Sequence, residues 1–242
     1  MRLARYFALL VAGICMASTG VDAYQGQQNE TYVALGSSTR LIMHSDEKKI
    51  SFPAKNYLAY PVLFHAQVLN PETMTHSQEF ITFPEVAEIK PQNTTMGQIL
   101  RLGGDFPDDR ETLFYVQGHF LPGNKADENN EADVYVSYAL QMKLFFRPAK
   151  LKASFDAIDD HAHEMKFKIK DGKLIAFNES PYFFTLNTLN TDKEVIDVSG
   201  RDSMIKPFGQ QAYQIKNTSA KTIHWTLIND GGFSTKLFSS QL

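Results

Sequence analysis

The sequence is short of the features that would place its function quickly. Its 242 residues hold one cysteine, Cys15, and one tryptophan, Trp225. A single thiol cannot form an internal disulfide, so the fold must rest on an ordinary hydrophobic core, which 43% hydrophobic residues can supply. Charge of one sign is not in excess: 24 Lys+Arg stand against 27 Asp+Glu. No basic stripe occurs, so no nucleic-acid partner is expected. G-x-S-x-G, P-loop and G-x-G-x-x-G patterns are absent. Asp105, Asp108 and Asp109 invite a carboxylate-pair hydrolase reading, but turns favour Asp for ordinary reasons. Neither catalysis nor a cofactor is expected. After the first two dozen residues no apolar run is long enough for a membrane helix.

That first stretch reads as an address. Arg2 and Arg5 give a positive start, Phe7 to Met16 is apolar but too short to span a bilayer, and Val21-Asp22-Ala23 offers small residues for signal peptidase. A signal peptide over residues 1–23 is expected, leaving a cysteine-free chain of 219 residues with a net charge of −4. A lipid anchor on Cys15 is disfavoured, because Ile14 stands where that signal wants a small residue.

Strand-like windows then recur with turn residues between them. They cover Thr39 to Met43, Ile50 to Phe52, Pro61 to Leu69, Phe80 to Phe83, Gln98 to Leu102, Thr112 to Val116 and Val134 to Phe146. After Arg147-Pro148-Ala149 the pattern restarts with Met165 to Ile169 and Lys173 to Phe177 around Asp171-Gly172, a strong hairpin signal. Phe183 to Leu189, Gln211 to Ile215 and Thr222 to Ile228 follow. Short, regularly spaced strands without helical periodicity predict an all-β protein of sandwiches. The break near Pro148 suggests a first domain over 24–150 and a second over 151–242. No internal repeat is visible, and Gly123 to Asp133 is a polar loop. Asp159 to Glu164 carries His161 and His163, which on an extended segment would share a face and could ligate a metal. A hydrated polar turn accounts for the same residues, and no metal is expected. Sequons begin at Asn29, Asn93, Asn178 and Asn217, and Trp225 sits in a strand-like window as a core candidate.

In the long strand the even positions Val134, Val136, Tyr138, Leu140 and Met142 are all apolar, so something must cover that face. Periodicity alone leaves open whether the cover is the strand's own core or another molecule.

The surroundings of this strand narrow the choice. Asp109-Arg110-Glu111-Thr112-Leu113-Phe114-Tyr115, then Leu121-Pro122, the alternating strand, and Lys143-Leu144-Phe145-Phe146-Arg147-Pro148-Ala149 resemble the periplasmic pilus chaperones, the PapD-like family. Ser38-Thr39-Arg40-Leu41-Ile42, Asn178 to Asn190 and Ile228-Asn229-Asp230-Gly231-Gly232 match further family blocks in order. The chain departs from the pattern in lacking a tryptophan after Gln67 and in having Phe83-Pro84 for a double proline.

The resemblance implies two immunoglobulin-like β-sandwich domains set at an angle around a cleft. It implies a periplasmic protein that lends a strand to pilus subunits, the donor-strand form of β-augmentation, and delivers them to an outer-membrane usher. By motif position Val134, Val136 and Tyr138 would plug the subunit's groove, and Arg40 and Lys143 would clamp its terminal carboxylate. Glu111, Arg147 and Asp230 would pair between the domains. The moderate length of the polar loop and the lack of a mature cysteine pair favour the short-loop class that handles rod-like pili. Self-association of the free protein through its uncovered apolar edge is expected. The competing reading is a secreted β-sandwich that adheres to a ligand, which would require an accessible aromatic platform.

Overall fold

The computed structural model describes residues 32–123, 136–151 and 156–242. The first half forms nine strands: β1 Val33–Leu35, β2 Arg40–His44, β3 Lys49–Asn56, β4 Val62–Leu69, β5 Phe80–Phe83, β6 Ala87–Ile89, β7 Thr94–Arg101, β8 Thr112–Pro122 and β9 Tyr138–Arg147. They make two sheets, β1-β3-β7-β5 and β2-β9-β8-β4-β6. Inward alternation drives this packing: Phe64, Ala66 and Val68 of β4 and Phe114, Val116 and Phe120 of β8 are buried against Phe52, Phe80 and Leu144. Gly118 stands in the same inward row. A Cβ there would lie 2.9 Å from the Leu35 side chain and 3.0 Å from Phe64, so the glycine permits the two sheets to close. A glycine also reads as a strand breaker, which is why the expected strand stops at Val116 whereas β8 continues to Pro122.

The second half opens with a short helix, α1 Ala157–His161, and continues as β10 Met165–Lys170, β11 Lys173–Asn178, β12 Phe184–Thr191, β13 Met204–Ile205, β14 Gln210–Gln214, β15 Thr222–Leu227 and β16 Phe238–Gln241. Sheets β10-β11-β14 and β13-β12-β15-β16 enclose Leu174, Phe184, Leu186, Ile223, Trp225 and Leu227. The Asp171-Gly172 hairpin forms as read, with both residues at positive φ (51° and 74°) as a tight turn of this hand requires. Trp225 is 3% exposed and belongs to the core. No helix among the described residues is long and apolar enough to cross a membrane.

Two expectations are corrected. His161 and His163 do not share the face of an extended segment; they lie in α1 and the 3₁₀ turn after it. His161 Nδ1 meets Glu164 Oε1 at 2.7 Å and His163 Nδ1 meets the Asp160 carbonyl at 2.8 Å. No cluster of three or more His, Cys, Asp or Glu suited to a metal occurs among the described residues. A repeat, invisible in the sequence, also exists at the level of one device. Asn56 Nδ2 donates to the carbonyls of Tyr60, Ile89 and Lys90, and Asn178 Nδ2 donates to those of Tyr182, Ile205 and Lys206. In each half a buried amide ties the end of one strand to a loop four residues on and to a distant one. Asn178 is thereby committed inside the fold and is no surface sequon.

Candidate functional site

The candidate site grows from the pleat of β9. Met142, Leu144 and Phe146 point into the first core, so Lys143, Phe145 and Arg147 point the other way, towards the second domain. β2 pairs with β9 in parallel, with Arg40 opposite Lys143, Ile42 opposite Phe145 and His44 opposite Arg147. Residues paired in this way share a face, so the fold sets two cations side by side.

Both are poorly neutralised. Arg40 is 4% exposed. Its Nη1 donates to the Ile228 carbonyl at 3.0 Å and its guanidinium lies over the Phe145 ring at 5.5 Å, while its Nε is buried without a hydrogen-bond partner. Among the described residues Lys143 Nζ makes one hydrogen bond, a long 3.4 Å donation to Thr185 Oγ1. Burial, helped by the neighbouring Arg40 charge, pushes the Lys143 ammonium down to about 8. Burial lowers Arg40 as well, opposed by the Asp230 and Glu111 carboxylates. A buried guanidinium beside a half-buried ammonium, both with donors to spare, is chemistry that would suit an anion.

Beside it the structure brings Glu111, Arg147 and Asp230 together. Arg147 is 1% exposed. It donates from Nε to Glu111 Oε1 at 2.8 Å, and from Nη1 and Nη2 to the two Asp230 oxygens at 2.6 and 2.9 Å. Glu111 Oε2 accepts the Phe183 N–H at 2.8 Å, and the Glu111 N–H donates to the Pro181 carbonyl at 3.0 Å. Burial pushes the Glu111 carboxyl up, against the Arg147 charge and the Phe183 N–H. Around these groups Leu113, Phe145 and Phe183 form a small apolar cluster with Ile42, Tyr115 and Met204. Ser38 Oγ donates to the Gly231 carbonyl at 3.1 Å, and a Cβ on Gly232 would fall 2.5 Å from that hydroxyl. The partners contributed by Pro181, Phe183, Thr185 and Ile228 are mostly backbone groups, which side-chain patterns do not announce.

The expected plug residues fare differently from one another. Val134 lies outside the described residues. Val136 is 53% exposed and precedes β9. Tyr138 is half-buried, opposes Phe120, packs against the first core and hydrogen-bonds Tyr60. From Met142 onward the even face is the core of its own sandwich, because the strand's alternation runs on unbroken into that interior. β8 pairs with β9 along its length, whereas β2 pairs only from Lys143 onward. Residues 138–142 therefore have no strand on the β2 side among the described residues.

Comparison with known proteins places the chain as a whole. Residues 34–152 match the family model for the pili and flagellar-assembly chaperone, PapD N-terminal domain, and residues 150–239 match that for the pili assembly chaperone PapD, C-terminal domain. The chain is 26% identical to chaperone protein FimC of Escherichia coli over 93% of its length and 90% of the relative. It is 28% identical to chaperone protein PsaB of Yersinia pestis over 86% and 83% of the two chains. Among solved structures it matches a chain of the Salmonella enterica SafA pilin in complex with the SafB chaperone at a TM-score of 0.76 and 25% identity, covering 87% of this chain and 96% of that one. The Escherichia coli chaperone DraB shares the fold at a TM-score of 0.76 and 24% identity, with 88% and 97% covered. With both of its domains matched and its strands in that arrangement, the chain belongs to the PapD-like family of pilus-assembly chaperones.

Proposed function

We propose that the chain is a periplasmic chaperone that captures pilus subunits by donor-strand complementation and passes them to an outer-membrane usher. The observation that carries this reading is the place where β2 begins. A guest strand added to the open edge of β9 at residues 138–142 and running parallel to it would lie ahead of β2 in the same row. Its last residue would then meet Arg40 and Lys143. Backbone pairing along that edge holds any sequence, and Val134, Val136 and Tyr138 supply the apolar side chains that enter the guest's groove. The two cations bind the carboxylate that ends the guest chain and so fix its register. Glu111, Arg147 and Asp230 hold the two domains, divided near Lys150 and Leu151, at the angle that forms the cleft. The chaperone title of each relative and the pilin–chaperone complex among the structural matches support this reading. Export would follow cleavage after Ala23, and the work needs neither catalysis nor a cofactor.

The test is co-purification with a pilus subunit encoded beside the chaperone. A hydrogen bond to a charged group contributes about 1.5–3 kcal/mol, so Lys143→Ala should weaken capture roughly 10- to 100-fold with an unchanged circular dichroism spectrum. Undiminished capture by a folded Lys143→Ala protein would remove the clamp from the mechanism.

A further inference from the structure

The outer face of the β10–β11 hairpin carries a basic row that the linear sequence does not display. Along the chain the lysines of β10 alternate with Phe167 and Ile169, and the pleat sorts the two sets to opposite sides. Phe167 and Ile169 pack against the second core, so Lys166, Lys168 and Lys170 turn outward and are exposed. On β11 Leu174 and Ala176 are buried in that core, which leaves Lys173, Ile175 and Phe177 on the outer side. The register sets Lys166 opposite Phe177, Lys168 opposite Ile175 and Lys170 opposite Lys173. On the other flank β14 presents Gln210, Ala212 and Gln214, which bring no charge. At about 3.4 Å per residue the three lysines of β10 span roughly 14 Å, and Lys173 extends the row onto the next strand.

The row is not neutralised from within. Among the described residues none of these lysines forms an ion pair. The neighbouring carboxylates stand at the hairpin's ends: Asp171 in its turn, and Glu164 and Glu179 at the far end, with Glu164 held by His161. Setting Lys170 directly against Lys173 costs stability, as like charges opposed in a ladder do. Lysines on an edge strand guard it against pairing with another chain, and β10 is such an edge. That role does not account for Lys173, which lies on the middle strand of its sheet. We propose that this face docks on the surface of an anionic phospholipid bilayer, with the ammonium groups on the phosphates and the half-buried Ile175 and Phe177 against the headgroup layer. Lysine is a point charge without the fork by which arginine grips one carboxylate, and the face holds no arginine. Such a row fits a fluid surface whose charges gather beneath it better than one fixed anion. The chain as a whole cannot supply the attraction, since 24 Lys+Arg stand against 27 Asp+Glu, so binding must be local to the row. The face is also separate from Arg40 and Lys143, because β12, which supplies Thr185, belongs to the opposite sheet.

Co-sedimentation with vesicles tests the face, using residues 24–242, the chain as exported on the proposed function. Phosphatidylcholine vesicles containing about one-third phosphatidylglycerol should carry the protein down, and pure phosphatidylcholine vesicles should not. Each lysine close to such a surface contributes about fivefold, so Lys166→Gln with Lys168→Gln should weaken binding roughly 25-fold. Changing Lys166, Lys168, Lys170 and Lys173 together to Gln should abolish it. Changing the exposed Lys48 and Lys49 of the first sandwich to Gln removes as much charge as the double variant and should leave binding unaltered. No binding by the wild type, undiminished binding by the folded four-site variant, or an equal loss in the Lys48 and Lys49 control would overturn the assignment. Should the four-site variant fail to fold, Lys168→Glu decides: a loss of at least about 25-fold supports the face, and no loss refutes it. Capture by immobilised polyglutamate without vesicle binding would also overturn it, giving the row to an acidic protein.

Discussion

At the scale of single residues, Lys143 is the group whose chemistry can be read most directly. In the guest-free protein its ammonium titrates at about 8, below the ordinary 10.5, because burial and Arg40 both disfavour its charge. A carboxylate bound there would restore the proton. Affinity for a peptide ending in a free carboxylate should therefore be full below about pH 8 and fall as pH rises through that value, by up to about tenfold per unit. Without guest the sign reverses: between the folded and unfolded values the unfolded chain holds more protons, so stability rises with pH. Peptide titrations from neutral to alkaline pH would show this, and Lys143→Arg should flatten the profile, since a guanidinium keeps its charge throughout. A flat wild-type profile would mean that Lys143 does not face the guest's carboxylate. Arg40 and Lys143 are also where residue patterns alone are weakest. An isolated cation in a β-protein is usually a solvated charge, and only their place in family blocks singles them out. What no reading of side chains could supply is the Thr185 hydroxyl and the Ile228 carbonyl that orient them from the other domain.

At the scale of elements, the proposed function gives β9 two tasks along one alternation. Its later even residues build the first core, and its start has no strand on the β2 side among the described residues. The two tasks separate by substitution. Leu144→Ala removes a fully buried side chain and should cost about 2–5 kcal/mol, read as a lower urea midpoint. Val136→Asp alters a side chain that is 53% exposed, so it should leave the midpoint in place while abolishing subunit capture. Equal capture by Val136→Asp would show that this segment is not the donor. Elements were legible where chemistry is local. Asp171-Gly172 announces its hairpin, and Phe80–Phe83 is found with its bounds. They were illegible where a tertiary neighbour decides. Pro53 lies inside β3, and Gly118 lies inside β8 because Leu35 and Phe64 need the space. The short strands β6, β13 and β16 exist only because a longer strand offers them an edge. α1 escaped notice because a helix of five residues has no periodicity to read.

At the scale of the whole molecule, the two sandwiches are joined by a largely buried ionic knot over a small apolar cluster. Removing one member of such a knot strands the others. Arg147→Met should destabilise the protein by about 3–5 kcal/mol, since Glu111 and Asp230 would stay buried without their cation. The effect should also be visible in cooperativity. Trp225, the single tryptophan, sits in the second core. Its fluorescence therefore reports that domain, while circular dichroism reports both. The two urea transitions should coincide in the wild type and separate in Arg147→Met, and coincident transitions in the variant would show that the knot does not couple the domains.

The parallel pairing of β2 has one more consequence. Because β2 fills the row beyond Arg40, a strand added to the start of β9 would find a wall there and could not run past it. A segment from the middle of a polypeptide would have to turn aside at that wall, whereas a chain that simply stops fits flush. On the proposed function the row would thus work as a gauge of completeness, admitting the finished end of a newly made protein and turning away internal stretches of the same composition.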